Sequence, residues 1–207
     1  MSVVAIIAAG AMGANVGCKL VEAGNVVLTS LEGRSEATRK RAQEAGMIDA
    51  SWIEIVERAD ILLSVIPPKD AVSFAERLLL VQQSAHRSNK EPLVFADCNA
   101  VNVVTIKKIA SLFANTPITF IDGCIIGWPP SGTSVPTFYG CADPEAEKGL
   151  ELFKDVIEKS GIKVRILSGE GAGIGDASAL KMSYAVSFTQ RNDEYWLTDL
   201  DRASRKE

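Results

Sequence analysis

The chain has 207 residues, 22 basic against 26 acidic side chains, and a formal net charge of −4. That length suits one large domain, or one domain with a small appendage, and 47% apolar residues are enough to build a core, which excludes global disorder. The acidic balance argues against nucleic acid as a partner, and no apolar run approaches the roughly 20 residues that cross a bilayer.

The first segment, Val3-Val4-Ala5-Ile6-Ile7-Ala8, is a continuous apolar, β-branched run, the pattern of a strand buried on both faces of a parallel sheet. Gly10, Ala11, Met12 and Gly13 follow at once. A helical pattern over 14–23 sets Val16, Leu20 and Val21 on one side, and Gly24 stops it. Residues 26–29 form a second strand, which completes a βαβ unit. A helix over 35–45 ends at Gly46, and Ser51 with Glu54 predicts a capping box for a short helix to Arg58. A strand over 61–66 stops at Pro67-Pro68, and a helix over 70–80 buries Phe74 and Leu78, with Val81 continuing the face. Strand 93–97, helix 103–113, strand 118–122 and strand 137–141 follow. Asp143-Pro144 reads as an N-cap and first turn for a helix to Ser160, closed by Gly161. Strand 163–167 and a helix from Asp176 complete the order. The alternation predicts an α/β, Rossmann-type doubly wound fold with a mainly parallel sheet, mixed strands at its end, and a short helical C-terminal extension.

The turn Ala8-Ala9-Gly10-Ala11-Met12-Gly13 lies between a strand and a helix, where the dinucleotide fingerprint GxGxxG belongs. Ala8 replaces the first glycine. Gly10 lets the backbone approach a pyrophosphate, Gly13 allows close helix–strand packing, and the helix N-terminus offers N–H groups to the phosphates. Gly10, Ala11, Met12 and Gly13 are therefore the expected pyrophosphate site. About 20 residues on, an acid selects NAD through the ribose 2′-hydroxyl, whereas an arginine takes the 2′-phosphate of NADP. Thr29-Ser30-Leu31-Glu32-Gly33-Arg34-Ser35 contains both options. Arg34 and Ser35 open the next helix, and Arg39, Lys40 and Arg41 add positive potential or simply a solvated helix face; the charge favours NADP, with NAD possible.

Cys18, Cys98, Cys124 and Cys141 are widely spaced without a CxxC pair, so neither a disulfide scaffold nor a cysteine metal site is expected, and a reducing, cytoplasmic compartment is. The N-terminal apolar run lacks the basic stretch of a signal peptide. The single histidine, His86, reads as a loop residue, which disfavours histidine-centred catalysis.

Gly10-Ala11-Met12-Gly13, Ser64-Val65-Ile66-Pro67-Pro68, the block from Asp122 to Gly127, and Gly175-Asp176-Ala177-Ser178-Ala179-Leu180-Lys181 stand in a fixed order. In that order the chain resembles the β-hydroxyacid dehydrogenase and 6-phosphogluconate dehydrogenase superfamily over residues 1 to about 185. The resemblance implies that Val65, Ile66 and Pro67 cover the cofactor. It places Asn99 and Ala100 at the polar pair touching nicotinamide and substrate, although Ala100 lacks the usual hydroxyl. It makes the 122–127 block, with Ile126 and Gly127, a glycine-rich substrate loop, and Trp128 stands where a second glycine is common. Lys181 is then the general acid/base, because a hydride leaving a hydroxyl carbon requires a proton to leave the oxygen. The asparagine usual one turn later is replaced in the stretch of Tyr184 and Ala185.

The resemblance implies a nucleotide-binding domain over 1–170 and the start of a helical domain over 171–207, with a divergent, charged tail from about 186. Only 26 residues follow Lys181, so a truncated or alternatively spliced product, or a gene-model error, is expected, the alternative being a genuine short protein whose tail is a loosely docked helix. The dimer-forming helical domain would be missing, which leaves the oligomeric state open. Two functions follow: an NADP-dependent oxidoreductase acting on a small hydroxy acid, or an NADP-binding module or truncated pseudoenzyme without turnover. A third reading, a flavin-reducing or deazaflavin-type Rossmann protein, is weaker because it leaves the 122–127 block unexplained.

Overall fold

The first apolar run is the centre of the sheet. In the computed structural model, which describes residues 1–87, 91–132 and 134–187, β1 (Val3–Ile7) lies between β2 (Val26–Thr29) and β4 (Ile61–Ser64). The remaining strands are β3 (Ile48–Asp49), β5 (Leu93–Asp97), β6 (Ile118–Ile126), β7 (Thr137–Cys141) and β8 (Lys163–Ile166), in the order β3-β2-β1-β4-β5-β6-β7-β8. Only β6 and β7 pair antiparallel. The winding direction reverses between β1 and β4, and such sheets hold ligands beyond the C-terminal ends of the strands at that point. This is the Rossmann-type fold expected from the sequence.

Helices cover both faces. Helices α1 (Ala11–Glu22), α2 (Glu36–Glu44) and α6 (Glu147–Lys159) bury Val16, Leu20 and Phe153 with Val4 and Ile6. Helices α3 (Trp52–Arg58), α4 (Ala71–Ser84) and α5 (Val103–Leu112) bury Ile55, Phe74, Leu78 and Ile106 against Leu62 and Phe95. On that face Trp52, Phe74, Phe95 and Phe113 form a chain of rings with successive centroids 5.6, 5.8 and 5.2 Å apart, the tilted spacing that aromatic quadrupoles favour. A last helix, α7 (176–187), buries Ala177 beside Cys124 and Cys141. Among the described residues no helix is long and apolar enough to cross a membrane. The tail cluster Tyr195, Trp196, Leu197 and Leu200 lies outside the described residues.

Several boundaries differ from expectation. Helix α1 starts at Ala11, because Gly10 already has the extended backbone of an N-cap. β3, with two residues, is too short to show a period. β6 continues four residues past Asp122, so most of the presumed loop is strand: β7 supplies antiparallel partners from Asp122↔Cys141 to Ile126↔Thr137. Asp143 makes no side-chain cap. It precedes a 3₁₀ turn, Pro144–Ala146, and α6 begins only after it. The capping box of α3 forms as read, with the Glu54 N–H donating to Ser51 Oγ (3.2 Å) and the Ser51 N–H to the Glu54 carboxylate (2.9 Å).

Helix α1 crosses β1 at contact distance. A Cβ on Gly13 would stand 2.1 Å from the Ala8 carbonyl oxygen, whereas one on Gly10 would meet nothing within 4 Å. Gly13→Ala therefore forces helix and strand apart, and we expect it to cost about 2 kcal/mol and to lower the melting temperature by about 4–8 °C. Gly10→Ala melts like the parent chain; thermal denaturation followed by circular dichroism checks both.

Candidate dinucleotide-binding site

Gly10 caps α1 without a side chain. Its carbonyl accepts the Ala14 N–H (2.9 Å), its own N–H donates to the Ala8 carbonyl (2.9 Å), and the N–H groups of Ala11, Met12 and Gly13 have no hydrogen-bond partner among the described residues. No acidic side chain stands in the first turn. Three unpaired donors and the positive end of a helix dipole thus face the open space above Gly10, an arrangement that receives a pyrophosphate. Ala8 donates its N–H to the Val65 carbonyl (3.3 Å) and so ties the turn to the end of β4. Val65 and Ile66 are half-buried there, and Pro67 is exposed.

The basic run on α2 is more than a solvated face. Arg41 Nε donates to the Ala9 carbonyl (3.3 Å), which brings a guanidinium to the glycine turn. Arg39 fastens the turn after β2 by donating to the carbonyls of Leu31 (2.6 Å) and Arg34 (3.2 Å). Lys40 pairs with Glu44 on the helix surface (3.8 Å). The Ser35 oxygen caps α2 by accepting the Thr38 N–H (3.3 Å), while Arg34 beside it is exposed. Glu32 is paired with Arg77 of α4 at 3.0 Å.

Asn99 does not present its amide to a ligand. It is buried: its Oδ1 accepts the Ile66 N–H (2.7 Å), its Nδ2 donates to Ser64 Oγ (2.8 Å), and its backbone N–H donates to Asp97 Oδ1 (2.9 Å). A buried amide must satisfy its polar atoms, and here the neighbouring chain does so. Asn99 is a staple between the ends of β4 and β5, and its neighbour Ala100 is partly exposed. Asp97 stands in register between Ser64 and Asp122, and its Oδ2 has no partner. Burial, with Asp122 adding to it, pushes its carboxyl up to about 7.

The 122–127 block is a strand edge rather than a backbone cradle. Ile126 closes β6, and Gly127 turns the chain with φ +120°. Trp128 is 74% exposed beyond it. Buried Asp122 accepts the N–H groups of Gly175 (2.9 Å) and Ser178 (3.2 Å) and the Ser178 hydroxyl (2.8 Å), which anchors the start of α7. One turn later Lys181 Nζ donates to the Ile125 carbonyl (2.6 Å). Asp122, Arg41 and Arg77 were not singled out as site residues by sequence reasoning. Their partners lie 32 to 56 residues away, so no local motif marks them. The thiols of Cys124 and Cys141 are pushed up to about 12 by burial and are poor nucleophiles. His86 follows α4 in a loop.

Residues 3–88 match the family described as "NADP oxidoreductase coenzyme F420-dependent". The fold recurs in a conserved protein of unknown function noted for structural similarity with 3-hydroxyacid dehydrogenases, at 24% identity and a TM-score of 0.70, over 88% of this chain and 62% of that one. It recurs in Mycobacterium tuberculosis 3-hydroxyisobutyrate dehydrogenase with L-serine (21%, 0.71, 89% and 59%) and in an imine reductase from Myxococcus stipitatus in complex with NAD⁺ (15%, 0.71, 95% and 63%). The chain spans about three-fifths of the length of these structures. No curated protein matches it. These structures share the Rossmann-type fold of this chain, in agreement with the order of its elements.

Asp97 makes stability depend on pH. Its folded value of about 7 exceeds its ordinary 3.8, so between those limits the folded state holds a proton that the unfolded chain has lost. Its contribution is complete below about pH 4 and declines by about 1.4 kcal/mol per unit as pH rises towards 7. Asp122, also raised by burial, acts in the same direction. Urea melts at pH 5 and pH 7 should show the parent chain losing more stability over that interval than Asp97→Asn; equal losses would exclude the assignment.

Proposed function

We propose that the chain binds NADP in the crevice between β1 and β4 and acts as an oxidoreductase that passes hydride between the nicotinamide and a small hydroxy acid. The observation that carries this reading is the uncapped N-terminus of α1, with three unpaired N–H donors below the open space at Gly10. Gly10, Ala11, Met12 and Gly13 hold the pyrophosphate, Val65, Ile66 and Pro67 line the cofactor, and Arg34 with Ser35 receives the 2′-phosphate. Residues 1–170 are the nucleotide domain in this reading, and α7 begins the segment that completes the site.

The bound dinucleotide supplies the hydride acceptor. Lys181, whose Nζ is held by the Ile125 carbonyl, takes the hydroxyl proton as the hydride leaves the carbon. Ala100, Ile126 and Gly127 border the substrate. Asn99, given a substrate role on sequence grounds, acts here through Ile66, whose backbone it holds.

A second reading, NADP binding without turnover, draws support from two features. The Asn99 amide is engaged within the protein, and residues 122–126 are paired with β7. The matched family's name adds a deazaflavin, coenzyme F420, as a hydride partner to include in a screen.

The test is a parallel titration with NADPH and NADH, followed by nicotinamide fluorescence and melting temperature. NADPH should bind, and Gly10→Val should abolish binding without lowering the melting temperature. A screen of hydroxy acids and a deazaflavin acceptor follows. Lys181→Met should remove hydroxy-acid turnover and leave NADPH binding intact. Turnover that survives the change removes the lysine from the mechanism, and a folded chain that binds neither dinucleotide overturns the proposal.

A further inference from the structure

We propose that Arg77, on the second turn of α4, sets the choice between a 2′-phosphate and a 2′-hydroxyl on the adenosine ribose, by exchanging Glu32 for the phosphate. The inference rests on the dinucleotide reading above and names a residue that determines its specificity.

The end of β2 carries an acid where a ribose hydroxyl would be held, but that acid is engaged. Arg77 Nη2 lies 3.0 Å from Glu32 Oε2, although the two residues are 45 positions apart. The guanidinium carbon also stands 4.3 Å above the Trp52 ring, and Trp52 leans on Phe74 with centroids 5.6 Å apart. An arginine on the surface is ordinarily free to wander. This one is held by an ion pair on one side and an aromatic platform on the other, and the platform belongs to the chain of rings in the core. Beside it a hollow of about 500 Å³ is bordered by Ser30, Glu32, Arg39, Asp49, Trp52 and Glu54. Arg39 is committed to the carbonyls of Leu31 and Arg34. Arg77 therefore adds a positioned cation beside the acid that follows β2.

The exchange follows from the strengths of the two pairings. The Glu32–Arg77 pair is about half to three-quarters exposed, at 72% and 52% for the two side chains, and such pairs hold weakly. A phosphate monoester brings nearly two negative charges and three acceptor oxygens, and it can take a guanidinium through two N–H groups at once. NADP thus replaces a weak partner of Arg77 with a stronger one, and Glu32 swings away from the phosphate. With NAD, Glu32 keeps Arg77 on one oxygen and can accept the ribose hydroxyl on the other. Glu32 then serves NAD, Arg77 serves NADP, and the strength of the Arg77–phosphate pairing decides which is preferred.

The test compares the parent chain, Arg77→Gln and Glu32→Gln for NADPH and NADH, and for the fragments 2′,5′-ADP and 5′-AMP, which lack nicotinamide. Tryptophan fluorescence reads the binding, because Trp52 lies under the guanidinium, and calorimetry gives the affinities. Melting temperature confirms that each variant is folded. Arg77→Gln should weaken NADPH and 2′,5′-ADP about tenfold and leave NADH and 5′-AMP within about twofold or improved. Glu32→Gln should weaken NADH and favour NADPH. The parent's preference should also shrink as ionic strength rises. A folded Arg77→Gln with an unchanged NADPH-to-NADH ratio overturns this proposal while the dinucleotide reading stands. A parent chain that binds neither dinucleotide overturns both.

Discussion

Helix α7 begins without a capping side chain of its own, and its first N–H groups point into the protein. Asp122 meets them from β6. One carboxylate satisfies two helix N–H groups and the Ser178 hydroxyl, and the Cys141 thiol adds a weaker contact at 3.4 Å. Burial opposes charge on this carboxyl and the hydrogen bonds favour it, with burial prevailing. The consequence reaches the proposed chemistry. Asp122 and Ile125 are three residues apart on a strand, about 10 Å, whereas Ser178 and Lys181 are three apart on a helix, about 4.5 Å. The long lysine side chain spans the difference and returns to the strand at the Ile125 carbonyl. Helix and strand are therefore tied at two points, and the position of the lysine amine follows from where the carboxylate sits.

The same strand ends form a polar row under the crevice. Ser64, Asp97 and Asp122 are register neighbours across β4, β5 and β6, and Asn99 joins the first two. On the other side of the reversal lie the uncapped α1 and the Arg41 guanidinium. The crevice thus changes electrostatic character along its length, from donors at β1 to buried carboxyls at β5 and β6. A dinucleotide has the same asymmetry, with its charge in the phosphates and its neutral amide at the far end.

What the sequence made legible was what neighbouring residues decide. The β1 run, the glycine turn and the Ser51–Glu54 capping box each depend on residues within a few positions. The misreadings have a common physical origin. Gly123 looked like loop chemistry, yet its lack of a side chain answers to Cys98, whose sulfur would lie 2.9 Å from a Cβ there. Asn99 follows a strand as a ligand-binding residue would, and nothing nearby in the sequence distinguishes binding from stapling. Asp143 before proline has the pattern of an N-cap, but the proline closes a 3₁₀ turn first. Asp122 and Arg77 act on partners 53 and 45 residues away, and only the packing of helices against the sheet brings them together.

The two outermost strands carry a further consequence. β3 is only two residues long, and its Asp49 turns back to accept the Leu31 N–H at 2.9 Å. β8 alternates exposed Lys163 and Arg165 with inward Val164 and Ile166. A second copy laying its β8 alongside would set like charges against one another, and at β3 it would find too short a ladder to pair with. A short ladder at one edge and basic side chains at the other both work against the sheet growing from molecule to molecule.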